Sequence, residues 1–233
     1  MNLEEENIRL KAQLENAKVW MRREISANDY NHSENVEEKI YSFFSPEALS
    51  HFPNNWVDNI VSAELVYKHL LEWEDIDGMW VILSYQKIID EMIELYITRG
   101  FRKYVLKHSK NITHINDPLE KSLRLIIEKK HIFSLWRVHQ ILGIISSWKK
   151  TSWYVLEFSQ YLKSRNFLEK SLLESAFLLQ LKWLIDSHAV TDKRHSWTLS
   201  KKDTITARNL IIWDFTDKNC ILQILAQTQS IDI

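Results

Sequence analysis

Only three glycines and three prolines occur in 233 residues, and that scarcity narrows the fold more than any motif does. Average usage, roughly 7% Gly and 5% Pro, would supply on the order of 28 such residues. Tight hairpins, dinucleotide folds and phosphate loops need glycine where φ is positive or where the backbone approaches a ligand. Gly78, Gly100 and Gly143 each stand alone, so phosphate-cradling loops and dinucleotide fingerprints are excluded. Helices joined by short polar turns need neither residue. The expected fold is all-α, a helical bundle with an N-terminal coiled-coil helix.

Residues 1–25 carry a heptad pattern. Leu3, Leu10 and Ala17 are seven apart, and Asn7, Leu14 and Met21 form a second series offset by four. Together they make an a/d seam flanked by charges, in which the lone Asn sets register and oligomer state. The seam predicts a homodimer through this helix. Packing of the same amphipathic stripe on the chain's own body stays open as the alternative, because three heptads are marginal in isolation.

Residues 33–233 read as one helical domain with no internal repeat and no low-complexity linker. Val36, Ile40 and Phe43 or Phe44 mark a short helix ending before Pro46. Trp56, Ile60, Ala63, Tyr67 and Leu70 mark a long one. Val81, Tyr85, Ile88, Met92 and Leu95 place the inward face of a second long helix over about 77–98, with Gly100 near its end. Asp117, Pro118 and Glu120 form a helix-start signal, and Ser200 with Asp203 forms a looser capping box. Helices are further expected over 134–148, 152–162 and 167–185, and a short final one from Asp217. Trp56, Trp80, Trp136, Trp183 and Trp213 fall on apolar faces and are expected in the core.

The single cysteine, Cys220, rules out an intrachain disulfide framework and the usual multi-cysteine zinc sites, and fits a reducing cytoplasm. The opening residues do not resemble a targeting peptide, and no apolar run reaches the roughly 18 residues of a membrane span. None of the nine histidines forms an H-x-x-x-H pair. Glu128 and His131 make one E-x-x-H, where a helical di-metal site needs two. No metal and no cofactor are expected.

Net charge is −1, but unevenly spread. Residues 1–98 hold 8 Lys/Arg against 19 Asp/Glu, and residues 99–233 hold 22 against 12. This split suggests either a basic surface for nucleic acid or two mutually attractive halves. Basic clusters fall at Arg99, Arg102, Lys103, Lys107 and His108, and at Lys193, Arg194 and His195 with Lys201 and Lys202. Brought together, they would form a salt-sensitive phosphate-binding stripe. Trp148, Trp153 and Trp197 lie near further cations, where an aromatic ring stacks bases or simply packs beside solvated lysines.

The segment from Lys193 through Arg194, His195, Trp197, Ser200 and Asp203 to Ile212 resembles the end of HEPN domains. These are helical bundles of RNA-cleaving toxins and defence proteins. The stretch Ala63, Glu64 and Tyr67, and the helix with Tyr85, Lys87 and Glu91, resemble the paired N-terminal helices of that family. The resemblance implies RNA binding in a bacterial defence or toxin–antitoxin system. It also implies a metal-independent ribonuclease site in which His acts as base and Arg stabilises phosphate charge. Active members carry Arg, four to six residues, then His. Here positions 188–190 are His188, Ala189 and Val190, and Arg194 directly precedes His195. Arg102 with His108, and Arg124 with His131, do keep the spacing. The candidate catalytic residues are therefore His195, Arg194, Arg102 and His108, with Lys103, Lys107, Lys193, Lys201 and Lys202 binding nucleic acid. Degeneration of the motif to an RNA binder is the expectation. The alternative is a non-catalytic adaptor or small structural subunit that recruits a protein or nucleoprotein partner.

Overall fold

The computed structural model describes residues 27–72, 77–108, 118–128, 133–147, 152–165, 170–186 and 198–228. The heptad residues Leu3, Asn7, Leu10, Leu14, Ala17 and Met21 lie outside them. The described chain is all-α, with eleven α-helices and no strand among its described residues. The helices are α1 Ala27–Phe43, α2 Pro46–Ser50, α3 Asn54–Glu72, α4 Met79–Met92, α5 Arg99–His108, α6 Pro118–Ile127, α7 Leu135–Ser146, α8 Trp153–Ser164, α9 Ser175–Asp186, α10 Lys201–Ile211 and α11 Ile221–Gln227. No helix of the described residues is long and apolar enough to cross a membrane.

One apolar cluster runs from Val36 on α1 to Ala226 on α11. The helical stripes supply it: Trp56, Ile60, Ala63 and Leu70 from α3, and Val81, Tyr85, Ile88 and Met92 from α4, are all buried. These two helices pack along each other, with α10 and α11 also against α4. Burial of such side chains contributes about 1.5–3 kcal/mol each, which makes the α3–α4 seam the axis of the fold.

The second long helix does not end near Gly100. Helical dihedrals continue through Ile93 and Arg99, so α4, a π-helical turn over Ile93–Thr98 and α5 form one rod. Thr98 closes the π-turn by donating its hydroxyl to the Ile93 carbonyl at 3.0 Å. The widened turn rotates the apolar face, so Ile93, Tyr96 and Ile97 are buried while Leu95, expected inward, is only half-buried. Gly100 sits inside the rod because a Cβ there would overlap the Tyr161 hydroxyl.

Capping is partly as expected. The Ser200 hydroxyl accepts the Asp203 amide at 3.1 Å and donates to the Asp203 carboxylate at 2.6 Å, fixing the start of α10. Glu120 is different. Its carboxylate accepts the Tyr154 amide at 2.7 Å, so it caps the first turn of α8, and Asp117 lies outside the described residues. Two tryptophans also depart from the expected core: Trp136 is 53% and Trp213 is 49% exposed. Trp213 belongs to a left-handed turn with Asp214 and Phe215, at φ of 37°, 47° and 60°. Such backbone costs of order 1–3 kcal/mol per residue. Opposing it are the Asp214–Arg208 ion pair and an edge-on stack of Phe215 on Phe43 at 5.9 Å.

Candidate functional site

The rod formed by α4, the π-turn and α5 carries the polar features that the core leaves unused. Its outward face changes sign along its length. Asp90, Glu91 and Glu94 come first, then Arg99, Lys103 and Lys107. The acidic half borders a groove of about 300 Å³ lined by Pro53, Trp56, Asp90, Glu91, Glu94, Leu95 and Arg99. The Trp56 indole N–H donates to Glu91, and the indole packs edge-on against Tyr96 at 5.9 Å. Burial of Tyr96 raises its phenol well above the ordinary value.

The basic half is simpler. Arg99, Lys103 and Lys107 are exposed at four-residue spacing, about 6 Å apart along the axis. They make no ion pair among the described residues, and α5 contains no acidic residue. Leu106 stands beside them at 72% exposure. The result is a straight cationic ridge with one apolar knob.

Arg102 and His108 do not share a site. Arg102 is 9% exposed; its Nε donates to the Ile126 carbonyl at 2.7 Å, and Nη1 pairs with Glu94. It ties α5 to α6 and to the π-turn, and only about a tenth of its side chain faces solvent. His108 is exposed, its Nδ1 2.8 Å from the Tyr104 carbonyl oxygen and its ring on Tyr104 at 4.4 Å. Six positions on one helix place the two about 120° apart around the axis. Arg124, from the other correctly spaced pair, donates to Glu128 at 2.7 Å. Its partner by spacing, His131, lies outside the described residues, as do Lys193, Arg194 and His195.

Lys201 and Lys202 sit in the first turn of α10, and Lys201 donates to the Leu71 carbonyl at 2.6 Å. That end of α10 meets the beginning of the rod: Gly78 donates to the Leu199 carbonyl at 3.3 Å. The ridge lies at the rod's other end, roughly 35 Å away by helical rise. Among the described residues, Lys201 and Lys202 are therefore not joined with the α5 cations into one stripe within a single chain.

The most tightly bound charges are elsewhere. Glu64 and Tyr67 of α3 and Tyr85 of α4 meet Arg208 of α10, with both Arg208 and Glu64 buried. Tyr85 donates to Glu64, and the Arg208 guanidinium lies 4.4 Å from the centre of the Tyr67 ring. Burial and the neighbouring Glu64 charge hold the Tyr85 phenol well above its usual value. Every group in this cluster is engaged, which marks it as a structural clasp. Among the described residues, no group of three or more His, Cys, Asp or Glu is placed to hold a metal ion.

Sequence reasoning missed the groove. Asp90 and Glu94 at i and i+4 were a visible signal for a shared face, but the π-turn that opens it has no period of its own. No protein-family model, curated protein or solved structure matches the chain.

Proposed function

We propose that the chain is an RNA-binding helical protein of HEPN-like kind, acting in a bacterial defence or toxin–antitoxin system and degenerate as a nuclease. The observation that carries this reading is the exposed cation row Arg99, Lys103 and Lys107 on α5, which makes no ion pair among the described residues. Side chains in a row on a rigid helix meet successive phosphates of one strand with little ordering cost, and no neighbouring carboxylate on α5 competes. The inward tie of Arg102 supports binding without cleavage, since the cation of that Arg–His pair is committed to Glu94 and Ile126.

The test is binding of labelled single-stranded RNA over a salt series, with cleavage scored in the same samples. Wild type is expected to bind without cutting, with affinity falling as salt rises. Each phosphate contact removed, as in Lys103→Gln or Lys107→Gln, lowers the log–log salt slope by about 0.7. RNA cleavage abolished by His108→Ala or His195→Ala would overturn the non-catalytic part of the reading.

A second reading, a non-catalytic adaptor for a protein partner, is favoured by one observation. Trp136 on α7 and Leu179 on α9 are 53% and 65% exposed on helices that pack against each other. Large apolar side chains held in water on neighbouring helices suit a protein interface. Absence of RNA binding at every salt concentration would move the assignment there.

A further inference from the structure

The charge pattern of the rod is self-complementary. Glu94 and Lys103 lie equally far on either side of the midpoint between Thr98 and Arg99, and so do Asp90 and Lys107. A second copy running antiparallel about that midpoint sets each carboxylate opposite the other chain's lysine. This is the condition for an isologous two-fold interface, in which one patch complements itself.

The same register places Leu106 opposite Glu91, at the groove. Leu106 is 72% exposed, and the groove of about 300 Å³ offers Pro53 and Leu95 as apolar wall above the buried Trp56. An exposed leucine flanked by two lysines thus matches a hollow flanked by carboxylates. Glu94 pairs with Arg102 through one oxygen, and its side chain remains 24% exposed at the groove, within reach of a docking lysine. Arg99 lies close to the two-fold axis, where it would face its own copy, and it lines the groove beside Asp90 and Glu94, whose charge offsets that approach.

We infer that a second copy of this chain docks antiparallel along the rod, seating Leu106 and its flanking lysines in the partner's acidic groove. Docking covers both cationic ridges at once, so self-association and RNA binding exclude each other. This regulatory half rests on the RNA-binding reading, whereas the docking itself does not.

The experiment is sedimentation velocity of the full chain at low and high salt, with charge swaps at the Asp90–Lys107 pair, which leave the Glu94–Arg102 ion pair intact. Asp90→Lys and Lys107→Asp are each expected to weaken self-association on the order of tenfold or more by placing like charges opposite each other. The two combined in one chain restore it, because every contact is again between opposite charges. Leu106→Asp weakens association without touching the lysines. Unchanged association in the single swaps, or no recovery in the double, would overturn the docking.

RNA titrations on the same samples separate the two ideas. Asp90→Lys is expected to bind RNA at least as tightly as wild type while failing to self-associate, and Lys107→Asp to lose both. Charge-swap rescue with no RNA binding by any variant overturns the regulatory half together with the RNA reading. RNA binding to all variants without rescue overturns the docking alone.

Discussion

Arg208 grips Glu64 through two parallel hydrogen bonds, Nε to Oε1 at 2.8 Å and Nη2 to Oε2 at 2.7 Å, across 144 positions of sequence. The pair joins α10 to α3, and Asp214 takes a further guanidinium N–H from the left-handed turn. Charge–charge attraction in this interior raises the guanidinium above its usual range despite the burial that opposes it. The Arg208 guanidinium therefore stays charged wherever the fold survives.

Removing one partner leaves the other buried and uncompensated, a loss of about 3–5 kcal/mol. Glu64→Gln and Arg208→Met are each expected to destabilise by that order in urea titration. The double variant Glu64→Met with Arg208→Met should recover much of the loss, since apolar groups of similar volume remove the desolvation penalty along with the pair. A double-variant loss equal to the sum of the two single losses would show that the residues act independently.

His139 gives the fold an acid-side dependence. Burial lowers its imidazole pKa below the ordinary 6.5, and Lys182 on α9 lowers it further while Asp186 partly opposes. Lys182 and Asp186 pair with each other, and Trp136 stacks on the ring at 6.3 Å. A depressed folded-state pKa means the folded protein resists a proton that the unfolded chain accepts. The stability contribution is thus present above about 6.5 and is lost as pH falls below it. Urea midpoints at pH 7.5 and pH 5 should differ less in His139→Gln than in wild type.

How much of this was legible in the sequence depends on whether the deciding contact is local. The Ser200–Asp203 cap is three residues long, and it formed as read. Glu120 carried the same kind of signal, but its carboxylate is used by Tyr154 on another helix, a partner that spacing cannot name. Periodicity placed Trp56 and Trp136 on apolar faces alike. Only Trp56 found neighbours to cover it, because a stripe records one side of a contact. The π-turn is the clearest case: one extra residue per turn shifts Leu95 outward and opens the groove, and packing around Thr98 decides it. On α5 the cations looked equivalent in sequence, yet Arg102 turned inward to Glu94 while Lys103 stayed in water. That step commits the Arg102 cation to Glu94 and leaves Lys103 and Lys107 as the ridge.

Cys220 is expected to be inert in the folded protein. It is 1% exposed, and burial pushes its thiol up to about 12 despite nearby amides that favour the thiolate. Since the thiolate is the reactive form, modification by a thiol reagent at pH 8 should wait on unfolding. The rate should rise with urea in step with the unfolded fraction. Rapid stoichiometric labelling of native protein would contradict this burial.

Two glycines inside helices predict opposite outcomes for the same substitution. At Gly143, in the last turn of α7, a Cβ would have no heavy atom within 4 Å. The backbone there is helical, so alanine adds no strain and removes conformational freedom from the unfolded chain. Gly143→Ala is expected to stabilise by about 0.4–1 kcal/mol. At Gly100 the propensity gain is similar, but the new methyl would overlap the Tyr161 hydroxyl. That hydroxyl is held in turn by the buried Arg165 guanidinium at 2.9 Å, so it cannot move aside alone. Overpacking of this kind costs about 1–3 kcal/mol and outweighs the helical gain. Gly100→Ala should lower the urea midpoint and Gly143→Ala raise it. A Gly100→Ala variant combined with Tyr161→Phe should recover part of the loss if the hydroxyl is the obstruction.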